Sequence, residues 1–253
     1  MLKLNTLSGF GSGAAAAGVT PHTRAVQMNH TGEFFLNSTD QSVGIGDVFT
    51  IIAWVSIDVI NNEDTITLCM VEDNVDSSNQ CLIDIVGAAR PRMILWNDSA
   101  GIFKNYIATA DPYTVVSTEY QLGMTWDGTN LKMWVNGSEE TTLTKTTDNA
   151  GTVVATNRHI RAGNQLNGQY AKLSIWDAEL DSASIVALYD SGNGNEHDDR
   201  VALGDYTETA NLKHQYLFGN QVSPNIGEDF VDSGNINIED NATGIADGDI
   251  VTF

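Results

Sequence analysis

Apolar and polar residues alternate along most of the chain with a period of two, which marks strands with one face on a core. RAVQMNHTGEFFLN predicts a strand, a turn at Thr31-Gly32 and a second strand. VFTIIAWVSIDV is apolar on both faces and predicts a central strand covered on two sides. PRMILWND and IFKNYIATA follow as further strands. In YQLGMTWDGTNLKMWVNGSEE, Leu122, Met124 and Trp126 alternate into a turn at Asp127-Gly128-Thr129-Asn130. Leu131, Met133 and Val135 alternate on the return strand, and Asn136-Gly137 makes the next turn. LKHQYLFGN is a later alternating strand.

One stretch breaks the pattern. In GNQLNGQYAKLSIWDAELDSASIVALYDSG, Ala171, Leu173 and Ile175 are expected to face a core. Lys172, Ser174 and Trp176 then face the other way, with Lys172 and Ser174 in solvent. Asp181 is the expected N-cap of a short helix, since its carboxylate can accept free amide protons of the first turn. Ile185 and Leu188 share one helical face beside Tyr189, and Gly192 is the expected left-handed stop.

These segments resemble a laminin-G-like (concanavalin A-like) jelly roll. VFTIIAWVSIDV is similar to that family's tryptophan-bearing strand, with Trp54 at the tryptophan position. GMTWDGTNLKMWVNG is similar to its most distinctive hairpin, with Trp134 at the usual aromatic position. LNGQYAKLSIWD and ELDSASIVALYD resemble its closing strand and helix. The resemblance spans roughly residues 24–190 in order. It implies an all-β fold: a concanavalin A-like β-sandwich jelly roll with one short helix. Trp54 and Trp126 are expected in its core.

The chain divides into an extended N-terminal arm (1–22), a jelly-roll domain (23–218) and an acidic C-terminal extension packing on the sandwich (219–253). In the arm, Leu2, Leu4, Leu7 and Phe10 are spaced apolar anchors ahead of a Ser/Gly/Ala run. One reading is a disordered terminus. The other is an assembly arm that orders against neighbouring subunits by backbone pairing. The opening also resembles that of many tailed-phage virion proteins, and the LKHQYLFGN region resembles segments found beside such domains in phage structural proteins. That resemblance implies a virion structural protein on the outer surface of the particle, with other virion proteins and copies of itself as partners.

Charge narrows the field. The net charge is −21, from 33 acidic and 12 basic side chains. Such a surface repels phosphate backbones, so no nucleic-acid partner is expected. Neither a membrane span nor a signal peptide is expected from the apolar runs and the opening residues. Cys69 and Cys81 sit on two predicted antiparallel strands; two buried free thiols are expected, a disulfide being the alternative.

Candidate chemistry is sparse. Retaining glucanases of this superfamily carry E-x-D-x-x-E on one strand, whose alternation places the first Glu and the Asp on one face. Here Glu33, Glu63 and Glu119 stand alone, and Glu139-Glu140 are adjacent. No catalytic residue is assigned and no enzymatic activity is expected. His22, His30, His159, His197 and His214 form no close pair. No cofactor or metal site is assigned. Calcium, which such folds hold at the sandwich rim, has candidate ligands in Asp127, Asn130, Asp177 and DNVDSSN (73–79), but a turn or cap explains each as well. Trp96, Tyr106 and Tyr113 are candidates for stacking on sugar rings, against packing within the sheets. Host glycans are the alternative partner, through a carbohydrate-binding module.

Overall fold

The computed structural model describes residues 24–29, 35–36, 45–59, 65–73, 79–87, 90–97, 101–109, 118–151, 158–218, 231, 239–240 and 250–252. The anchors Leu2, Leu4, Leu7 and Phe10 lie outside them, as do Tyr113, most of 73–79, His22 and His30.

The strands are Arg24–Asn29 (β1), Phe35–Leu36 (β2), Phe49–Ile57 (β3), Ile66–Asp73 (β4), Asn79–Val86 (β5), Arg90–Asn97 (β6), Ile102–Ala108 (β7) and Glu119–Trp126 (β8). Leu131–Val135 (β9), Ser138–Glu140 (β10), Leu143–Asp148 (β11), Arg158–Asn164 (β12) and Asn167–Trp176 (β13) follow. After the helix Ser182–Tyr189 (α1) come Leu212–Leu217 (β14), Glu239–Asp240 (β15) and Ile250–Thr252 (β16). They pair antiparallel into two sheets. One runs β10-β9-β8-β3-β13-β1-β16, with β14 along the second half of β13; the other runs β11-β7-β6-β5-β4-β12-β2-β15. The two strands expected in RAVQMNHTGEFFLN are β1 and β2, and they lie in different sheets. Two strands from the C-terminal stretch pair with β1 and β2 and extend the sheet edges.

The sheets enclose one apolar layer. β3 sends Phe49, Ile51, Ala53 and Val55 into it, β8 sends Leu122, Met124 and Trp126, and the facing sheet supplies Ile83, Ile85, Met93 and Leu95. Cys69 and Cys81 lie in this layer as buried free thiols; burial, and then the neighbouring Cys81, push the Cys69 thiol well above its ordinary range. A second apolar layer covers the opposite face of the first sheet. Ile52, Trp54, Trp134 and Trp176 there meet Leu180, Ile185, Leu188, Tyr206 and Leu212. Both faces of β3 are thus covered, as its unbroken apolar run predicts, and every residue of it is buried.

This second layer corrects two expectations. Lys172 and Ser174 do face away from the inter-sheet core, yet they are 1% and 0% exposed, because α1 and the 3-10 turns after it roof that face. Ala171 does not point with Leu173 and Ile175. The register with β3 slips between Tyr170 and Lys172, and this bulge turns Ala171 into the outer layer.

The helix starts as expected. Asp181 Oδ1 accepts the Ser184 backbone N–H at 2.7 Å. Its end differs: the left-handed residue is Asp190 (φ 43°, ψ 47°), whose N–H reaches the carbonyls of Ala187 and Val186. Aspartate tolerates that conformation, so the helix stops two residues before Gly192. The chain then folds back so closely that a Cβ on Gly194 would lie 1.6 Å from the Leu188 carbonyl oxygen.

Candidate functional site

Three groups of polar or exposed side chains stand out. The first is buried under α1. Lys172 Nζ donates to Asp199 Oδ1 at 2.9 Å and to the carbonyls of Gly194 and His197, while the Ser174 hydroxyl donates to Asp199 Oδ2 at 2.6 Å. Glu119 lies close by and accepts from the Asn195 amide at 2.6 Å. Burial pushes the Glu119 carboxyl up to about 7, against the pull of Asn195 and Lys172. Lys172 and Asp199 are almost wholly closed to solvent, so this group holds the roof on the sheet and is closed to a large ligand.

The second group lines a cleft of about 560 Å³ at the edge of the sandwich, where β7 and β11 of one sheet face β8 and β9 of the other. On β7, Ile102, Lys104, Tyr106 and Ala108 alternate inward and are all buried. Three of them are at home in a core; Lys104 is not, and it has to reach a partner. It donates to Asp148 Oδ1 on β11 at 2.5 Å, and the Tyr106 hydroxyl donates to the same oxygen at 2.7 Å. Lys104 first, then Tyr106, hold the Asp148 carboxyl below the usual carboxylate range. Burial, with the bond to Asp148 added, pushes the Tyr106 hydroxyl above its usual range.

Ammonium groups lie over the aromatic floor. Lys145 Nζ is 4.5 Å from the centre of the Tyr106 ring, and Lys104 Nζ is 5.5 Å from that of Trp126. Lys145 is half exposed and 3.8 Å from an Asp148 oxygen, beyond hydrogen-bond reach, so its ammonium remains available to a ligand. Trp126 is buried, and its Nε1–H has no acceptor among the described residues. The turn Gly128, Thr129 and Asn130, with Lys132 and Glu139, forms the far wall. Polar and apolar groups thus converge on one open hollow, a lining suited to a ligand with hydroxyls on a hydrocarbon frame.

The third group is a hollow of about 290 Å³ beside the cleft, lined by Trp96, Asn97, Gly101, Ile102, Phe103 and Asn149. Trp96 is 37% exposed, so it does not pack within the sheets.

The candidates from sequence fall unevenly on these groups. Tyr106 and Asn130 come together in the cleft. Tyr106 is 2% exposed and offers only a face covered by Lys145. Asp127 closes its own turn, with Oδ1 accepting from the backbone of Thr129 and Asn130 and Oδ2 from the Asn130 amide. Asp177 accepts the Gly46 backbone N–H at 2.7 Å, away from the cleft. Among the described residues no group of three or more His, Cys, Asp or Glu is placed to hold a metal ion. Trp54 and Trp126 are both 1% exposed, as expected. Lys104, Lys145 and Asp148 escaped the sequence reading. The available signal was Lys104 itself, a charge at an inward position between Ile102 and Tyr106.

Residues 31–186 match the family model of the concanavalin A-like lectin/glucanases superfamily. The chain belongs to that superfamily. Lectin-like jelly rolls recur among solved structures of similar fold. One is a putative carbohydrate binding protein from Bacteroides ovatus, with 14% identity and a TM-score of 0.55 over 92% of this chain and 60% of that one. Another is the CBM40 of a Ruminococcus gnavus IT-sialidase bound to α2,3-sialyllactose, with 11% identity and a TM-score of 0.50 over 67% of this chain and 99% of that one. At these identities the likeness is one of fold. The lectin-like chain spans 60% of the Bacteroides protein's length. No curated protein matches it by sequence.

Proposed function

We propose that this lectin-like jelly roll is a non-enzymatic glycan-binding domain whose site is the cleft between Tyr106 and the turn 128–130. The observation that carries the reading is the convergence there of the half-exposed Lys145 ammonium, the Asp148 carboxylate and the turn 128–130 over a half-apolar floor. Sugars bind by such mixtures of hydrogen bonds and apolar contact. A neighbouring fold that holds sialyllactose in its own structure supports the ligand class. Lys104 and Tyr106 hold the Asp148 carboxylate in place, so that it can accept a hydrogen bond from a ligand hydroxyl.

A glycan array with the full chain and with Lys145→Ala tests this. Array signals that vanish in Lys145→Ala, at an unchanged melting temperature, are expected. No signal, or the same signals in both proteins, overturns the reading. Reducing-sugar release from β-glucans that disappears when one Glu is changed to Gln would show an enzyme instead.

A second reading places the domain on a particle. It rests on the spaced anchors Leu2, Leu4, Leu7 and Phe10 and on the resemblance of the chain ends to tailed-phage virion proteins. Under it the arm docks on other virion proteins and the jelly roll stands on the outer surface, where glycan binding would serve adsorption to a host. A chain starting at Thr23 should melt like the full chain but fail to co-sediment with particles. Equal co-sedimentation leaves the arm a plain terminus.

A further inference from the structure

We infer that the hollow under Trp96 is a second sugar subsite, so that cleft and hollow together take a glycan chain of two or more units in preference to one terminal sugar. The inference rests on the reading of the cleft as a glycan site.

Trp96 is the outlier among five tryptophans. Trp54, Trp126, Trp134 and Trp176 are between 0% and 3% exposed, whereas Trp96 is 37% exposed on a strand whose other face is in the core. A large open ring invites cover by an apolar surface. Phe103 sits directly across from it on β7, with ring centres 5.8 Å apart and planes inclined at 49°. The two rings form an open V and do not satisfy each other by stacking. Gly101 (φ 68°) ends the hollow, and among the described residues a Cβ there would meet nothing within 4 Å. The exposed Asn149 puts an amide at the rim, able both to donate to and accept from hydroxyls.

Cleft and hollow are two sides of one ridge. Asp148 and Ala150 line the cleft, while Asn149 between them lines the hollow. The Asn149 backbone N–H donates to the Phe103 carbonyl at 3.0 Å, which ties the ridge to the aromatic pair. The chemistry on the two sides is complementary: stacking surface and amide in the hollow, ammonium and carboxylate in the cleft. Because the sites sit on one rigid edge, a chain held in one raises its own local concentration at the other.

The test is titration of the full chain with ladders of one to about six sugar units from the cello-, xylo-, chito- and oligogalacturonide series, by calorimetry for long members and ligand-observed NMR for short ones. At least one series should gain about tenfold or more in affinity from the shortest member to a trimer or tetramer. Trp96→Ala should remove that gain, leave the shortest member's affinity unchanged and melt as wild type. Lys145→Ala should weaken every length. Affinity independent of length, or a gain that survives Trp96→Ala, overturns the inference and leaves the cleft a glycan site. Binding of no series overturns the cleft reading and this inference with it.

Discussion

Lys172 on β13 and Asp199 in the roof that covers it meet at 2.9 Å with each side chain 1% exposed. All three ammonium protons have acceptors, and the second Asp199 oxygen takes the Ser174 hydroxyl. A buried pair is tolerated when it is satisfied this fully, whereas breaking it leaves a bare charge in an apolar layer. Lys172→Met is therefore expected to cost about 3–5 kcal/mol in urea unfolding. Lys172→Met combined with Asp199→Leu should cost less than the two single changes added together. A single variant as stable as wild type would show that the pair does not hold the roof.

Trp54 carries the same roof by packing. Its ring lies 5.9 Å from that of Tyr189 at 9° between planes, and a Cβ on Gly194 would come within 2.9 Å of it. Trp54→Ala should cost about 3–5 kcal/mol and loosen α1. Denaturant unfolding gives the first quantity and hydrogen exchange in 182–189 the second. Full protection of those amides in the variant would contradict the packing argument.

Glu119 links this region to pH. The unfolded chain releases the proton near the ordinary 4.5, while burial keeps it on the folded protein to about 7. Between those values the unfolded state binds fewer protons, so stability falls as pH rises through the window, and the whole penalty is present above it. Glu119→Gln keeps an oxygen for Asn195 and removes the titration. The variant should thus gain on wild type steadily from about pH 4 to 8 in parallel urea curves. A constant difference across that range would exclude Glu119 as the cause.

The Asp181 cap makes a smaller claim. Its carboxyl is held below the usual range by the Ser184 backbone N–H, so its contribution is present above the ordinary carboxylate pKa and lost on acidification. Asp181→Ala should cost about 1 kcal/mol at neutral pH and nothing once the carboxylate is protonated. An unchanged melting temperature at neutral pH would show that packing alone sets the start of α1.

Local pattern was enough for much of this protein. The hairpin from Tyr120 to Gly137, the two-sided burial of β3, the capped helix at Asp181 and the core placement of Trp54 and Trp126 follow from period, turn chemistry and capping, which neighbouring residues settle among themselves. What covers a face was not legible. The alternation in YAKLSIW separates two faces of β13, but whether Lys172 and Ser174 are wet depends on residues 190–206, which fold back over them. The bulge at Ala171, the stop at Asp190 and the exposure of Trp96 depend likewise on contacts with β3, on the tight return at Gly194 and on how little the described residues cover that ring. The cleft needed β7, β11, β8 and the turn 128–130 in one place. Sequence by itself determined the strands, the helix and their apolar faces, because those are set by local periodicity; tertiary structure alone decided which faces are buried twice and where an open edge gathers Lys104, Lys145 and Asp148, because burial is settled by segments far apart in the chain.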